Sequence, residues 1–288
     1  MPITLLPDRG VLEVAGEDRA AFLQGLVSND VALAAPRRAV WAALLTPQGK
    51  WVADFFVLDP GTGDRLLLDC DREAAPGIVA RLSRFRLRSK VALRDASAGF
   101  AVLAGWGGAA APAAGEAVAA DDPRLPEAGW RALVPPHEAG DADATPAAYD
   151  AHRLALGLPD GARDLDAESS TLLEAGFDEL NGVSWTKGCY MGQELTARTK
   201  YRGLLKRRLL PVAADGDLPP RGTPVLGPDG REVGEMRSSR GARGLALLRL
   251  DALGGPPLSC GAATLRPDPP AWMRLPSSAT AAADAPAA

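Results

Sequence analysis

Residues 187–194, "KGCYMGQE", place a cysteine between Gly188 and Gly192, two positions after Lys187, with Gln193 and Glu194 following. A thiol beside a cation and at the start of a helix has two reasons to ionise, since nearby positive charge and the positive end of the helix dipole both favour the thiolate. The two glycines let the backbone turn tightly and let a ligand approach closely. Two readings of Cys189 follow. It is either a presented thiolate, able to attack, to ligate iron or to exchange sulfur, or a buried structural cysteine in a glycine-rich turn.

The remaining reactive side chains are few. Cys70, Cys189 and Cys260 are odd in number, far apart and without C-x-x-C spacing, and only His137 and His152 supply imidazole. That pattern is not a disulfide framework, and no preformed zinc or iron-sulfur site within one chain is expected. Two basic clusters stand out, Arg81, Arg84, Arg86, Arg88, Lys90 and Arg94, then Arg198, Lys200, Arg202, Lys206, Arg207 and Arg208. Each is either a solvated face or the frame of an anionic ligand.

The elements that must hold these residues follow from composition and pattern. The 288 residues are 47% apolar and 24% charged with a net charge of -4, as in an ordinary soluble protein and unlike one whose whole surface is built for nucleic acid. There is no uninterrupted apolar run long enough to span a bilayer and no basic-then-apolar leader at "MPITLLPDRG". No membrane partner and a cytoplasmic location are therefore expected.

Residues 11–14 read as a strand and 17–27 as an amphipathic helix. "AALLTPQGKWVADFFVLD" reads as two strands joined at Thr46-Pro47-Gln48-Gly49. Simple alternation puts Trp51, Ala53, Phe55 and Val57 on one face and Val52, Asp54, Phe56 and Leu58 on the other, which makes Asp54 an acid among apolar neighbours. A strand at 66–69, a helix over 71–85 and the strand "KVALRD" come next. The glycine-, alanine- and proline-rich stretch from 104 to 146 is part of a second lobe, taken as roughly 60–146. Tyr149 to Gly157 is a helix stopped by glycine, and 192–199 is a second. Short strands separated by Gly, Pro and Asp turns predict a small β-barrel over 204–275, and the tail 276–288 is expected to be disordered.

"GVSWTKGCYMGQELTARTKYRG" resembles the signature of the YgfZ family of folate-binding proteins, relatives of the glycine-cleavage T-protein that take part in making or maintaining iron-sulfur enzymes. "FLQGLVSNDV", "LLTPQGKWVADFF", "RFRLRSKV" and "GLALLRL" resemble family segments in the same order, so the likeness spans roughly residues 8 to 270. It implies an α+β, T-protein-like fold with two ferredoxin-like lobes and the C-terminal barrel. The lobes would surround a central hole that accepts tetrahydrofolate. The family's cysteine falls on Cys189.

A pterin needs an acid against its donor-rich edge, and a glutamyl tail needs cations. Glu174, Glu194 and Asp54 are the acids offered, Lys187, Arg198, Arg202 and Arg84 the cations, and Tyr149 a stacking ring. Two departures matter. "RLALG" puts Ala155 where T-proteins carry a pterin-binding glutamate, and Ala53-Asp54 keeps one acid of their pair. The leading expectation is a folate-binding protein that supports iron-sulfur assembly or repair in client enzymes, with Cys189 and Asp54 as the reactive groups. The alternatives are a folate-dependent aminomethyltransferase or demethylase, and an RNA-associated factor of tRNA modification.

Overall fold

A computed structural model of the chain describes residues 1–113, 117–140 and 142–275. The tail at 276–288 lies outside the described residues. In chain order the elements are β1 (Ile3–Leu5), β2 (Arg9–Ala15), α1 (Arg19–Gln24), β3 (Arg37–Arg38), β4 (Val40–Leu45), β5 (Trp51–Leu58), β6 (Arg65–Asp71), α2 (Ala75–Ser83), β7 (Ala92–Asp95), β8 (Ala101–Gly105), β9 (Val118–Asp121), β10 (Trp130–Val134), α3 (Pro146–Leu156) and α4 (Gln193–Tyr201). The barrel strands follow as β11 (Arg207–Ala214), β12 (Pro224–Leu226), β13 (Glu232–Arg240), β14 (Arg243–Arg249), β15 (Leu258–Cys260) and β16 (Ala263–Pro267).

Two five-stranded sheets, ordered β4-β5-β6-β2-β7 and β1-β8-β10-β9-β3, stand beside a closed barrel β11-β14-β13-β12-β15-β16. The stretch 60–146 is not one lobe. β6 and β7 pair with β2 in the first sheet, while β1 and β3, from outside that stretch, complete the second. Partner choice between strands is tertiary, so local pattern does not fix it.

The first sheet buries Phe55, Val57 and Leu68 beneath α1 and α2. Its other face presents Trp41, Phe56 and Leu67 to a core shared with Leu133, Phe177 and Tyr149. In β14, Ala246 and Leu248 fill the barrel, whereas Leu245 points outward with Leu209 against Leu154 of α3. That helix begins with Thr145 capping Ala148 N and ends at Gly157 in the left-handed region, as its glycine stop predicts.

The alternation expected in β5 is broken by a bulge. Leu44 pairs with Ala53 but Leu45 pairs with Trp51, so Val52 is the extra residue. Trp51 consequently joins Phe56 and Leu58, and Val52 packs with Ala53 and Phe55. The bulge brings the Trp51 indole to the face that carries Asp54.

Candidate functional site

The loop that carries Cys189 is pinned on both sides of the sulfur. Upstream, Ser184 N donates to Ser28 O at 3.0 Å and Ser28 Oγ donates to Gly182 O at 2.6 Å. Asn29 Nδ2 donates to Asn181 O at 2.7 Å and to Trp41 O at 2.8 Å. Downstream, Met191 N donates to Gly25 O at 3.1 Å. Gly192, at φ +81°, leads into α4 so close to the β4–β5 turn that an added Cβ would lie 2.6 Å from Thr46 O. Between these anchors Gly188 and Cys189 are exposed, while Lys187 and Tyr190 are buried.

Of the three cysteines only Cys189 reaches solvent. Burial pushes the Cys70 thiol up to about 12 and raises Cys260 as well, so neither serves as a thiolate near neutral pH. The buried-cysteine reading of position 189 is thereby set aside. The helix, however, starts at Gln193, four residues on, rather than at the thiol.

Lys187 does not serve as a cation for a ligand. Its ammonium donates to Val27 O at 2.8 Å and Asn29 O at 2.7 Å, and burial pulls it down to about 8. It bolts the loop to the segment after α1.

The other expected site residues are dispersed. Glu194 is exposed in the first turn of α4, and Arg198 and Arg202 are exposed on its last turn and C-cap, without ion-pair partners among the described residues. Arg84 caps α2 on a separate exposed turn. Glu174 accepts from Thr171 Oγ1 at 2.9 Å and from Arg207 Nε at 3.0 Å, which ties the preceding loop to the barrel. Asp54 is buried, with one carboxylate oxygen 2.9 Å from Trp41 Nε1 and the other 3.1 Å from Trp51 Nε1. Burial raises its pKa, against the Trp41 hydrogen bond and the charges of Arg9 and Arg124.

Sequence reasoning missed the charges at the junction of the two sheets. Asp69 of β6, fully buried, takes Arg9 Nε at 2.6 Å and Arg131 at 2.9 Å, the latter arriving from β10 of the other sheet. Asp122 holds Arg124 at 2.7 Å. The guanidiniums of Arg131 and Arg124 lie 4.0 and 4.9 Å from the Phe56 ring centroid, and Trp41 stacks on Phe177 at 3.8 Å. The signal is present as charges set inside otherwise apolar strands, in "LLLDCD" and "WRALV".

Tetrahydrofolate finds no ready slot among these groups. Tyr149 accepts from Arg131 at 2.8 Å and meets Trp106 edge-on at 5.7 Å, so its ring is already engaged. The cavity beside it, lined by Leu6, Arg9, Arg131, Tyr149 and Asp160, holds about 60 Å³. That is room for roughly two waters, against roughly 300 Å³ or more for a cofactor pocket. Asp54 and Glu174 already accept hydrogen bonds within the protein, and Ala155 offers no acid. The donor set does not fit a pterin as it stands.

These geometries belong to a known class of fold. The structure matches the glycine cleavage system aminomethyltransferase T from Bartonella henselae with a TM-score of 0.74 at 14% identity, over 95% of this chain and 86% of that one. Residues 206–275 match the model of the CAF17 C-terminal beta-barrel domain. The chain is 36% identical to the human mitochondrial iron-sulfur cluster assembly factor IBA57 over 87% of its own length and 78% of the relative's. It is 39% identical to the IBA57 homolog of Mycosarcoma maydis, over 72% of this chain but 56% of that protein's length. The chain belongs to the IBA57 family, of which the YgfZ proteins are the bacterial relatives. Both relatives are mitochondrial proteins, which overturns the expectation of a cytoplasmic location.

Proposed function

We propose that this protein is an iron-sulfur cluster assembly factor that uses Cys189 as a single transient ligand for a cluster passing between a carrier and a client protein. The observation that carries this reading is the exposure of one thiol on a loop whose flanks are fixed, in a chain whose other thiols are buried. The family membership sets the class of cargo. Among the described residues no three of His, Cys, Asp and Glu gather into a metal-holding group. One thiolate fills one position on one iron, so the partner proteins supply the other ligands. Tyr190 and Met191 dock against the body of the protein and leave Cys189 exposed to an incoming partner.

The test is reconstitution of an apo client enzyme from a cluster-loaded carrier, with the intact chain and with Cys189→Ser. Transfer is expected to slow at least tenfold in the variant, with an unchanged thermal melt. Equal rates would remove the sulfur from the mechanism.

A further inference from the structure

The turn after α2 carries a feature that cluster handling does not use. Ser89 N donates to Arg86 O at 2.7 Å, which closes a tight turn with Leu87 and Arg88 at its tip. Leu87 sits at φ +40°, a conformation disfavoured for a branched side chain, and is 89% exposed. Phe85 beside it is 37% exposed. Arg84, Arg86 and Arg88 alternate with these two, all exposed and without ion-pair partners among the described residues. Their neighbours Arg81 and Lys90 are paired, to Glu168 and Glu17.

We propose that this turn is a peripheral docking site for an anionic lipid surface, with Leu87 entering the headgroup boundary and the three arginines engaging lipid phosphates. Three observations choose a bilayer over other partners. The turn is a convex tip with two apolar side chains, far short of the roughly 800 Å² that each side of a stable protein interface buries. Its apex is the aliphatic Leu87, and Phe85, the one ring of the turn, is less than half as exposed, which gives a poor platform for nucleobase stacking. An apolar apex ringed by unpaired cations complements a plane that is anionic at its surface and apolar beneath. The contact is peripheral, and no helix among the described residues is long and apolar enough to cross a membrane.

The test is co-sedimentation of the intact chain with vesicles of phosphatidylcholine alone and of phosphatidylcholine containing roughly 30 mol% phosphatidylglycerol. Binding to the anionic vesicles only, weakening with salt, is expected. Each of Arg84→Ala, Arg86→Ala and Arg88→Ala should lower the partition coefficient about fivefold, and Leu87→Ser about tenfold. All four side chains are exposed, and thermal melts identify the folded variants on which the comparison is made. Equal binding to both vesicle types, no binding to either, or variants that bind as well as the intact chain would overturn the proposal. So would loss of single-stranded RNA binding in the same variants without vesicle binding, which would assign the turn to RNA.

Discussion

The Lys187 ammonium lies 2.7 Å from the carbonyl oxygen of Asn29, a contact that closes 158 positions of sequence. Two backbone carbonyls thus claim the charge that sequence proximity offers to Cys189. Lys187→Met should destabilise the fold by about 1–3 kcal/mol for each carbonyl left buried without a donor. Alkylation of Cys189 by iodoacetamide in the folded variant should be little changed. A large fall in that rate would restore Lys187 as the activator of the thiol.

Asp54 is held by two indoles rather than presented to a substrate. Asp54→Asn keeps the shape but replaces one acceptor oxygen with a donor, which leaves a Trp41 or Trp51 N–H facing an amide nitrogen. A loss of about 1–3 kcal/mol in urea denaturation is expected. An unchanged midpoint would show that the indoles are not what the carboxylate is for.

The charges between the sheets make stability fall in acid. Burial alone would raise Asp122 and Asp160, but the guanidiniums of Arg124 and Arg131, and of Arg153 and Arg9, outweigh it and hold both carboxyls below the usual range. Groups depressed in the folded state contribute stability that is fully present above their unfolded values, about 4, and is lost as pH falls through the folded ones. These two carboxylates should therefore contribute a drop in melting temperature as pH falls below about 4. Arg131→Met, which strips Asp69 of one of its two guanidiniums, should cost about 3–5 kcal/mol at neutral pH.

Gly182 borders the stack that closes the central core. A Cβ there would lie 2.5 Å from Phe177 Cδ1 and 2.8 Å from Trp41 Cε3. Gly182→Ala should cost about 1–3 kcal/mol and change the near-ultraviolet circular dichroism of the Trp41–Phe177 pair. A silent substitution would mean that the rings yield more readily than their packing implies.

Much of this was legible from residue types. The barrel announced itself through short strands punctuated by Gly, Pro and Asp, and α3 through Gly157, because turn chemistry is local. The exposed cysteine was legible as a thiol between glycines, but its exposure depends on Ser28, Asn29 and Gly25, more than 150 residues away. The face of Trp51 departs from simple alternation because a bulge shifts register by one residue without altering the pattern that flanks it. Sequence alone does not single out Asp69 and Arg131, because each becomes meaningful only when two sheets bring them within 2.9 Å. The cations first grouped for a glutamyl tail sit on the ends of different helices, a separation that sequence proximity to a motif does not reveal.

For the proposed cluster transfer, the anchoring on either side of Cys189 bears on how quickly a carrier lets go. A tether already shaped before encounter forfeits little conformational freedom on capture, so even a small contact suffices to hold the sulfur in line. The same economy would keep residence brief, since a single thiolate gives the departing protein few bonds to break. In the proposed role, such a loop suits a relay better than a store.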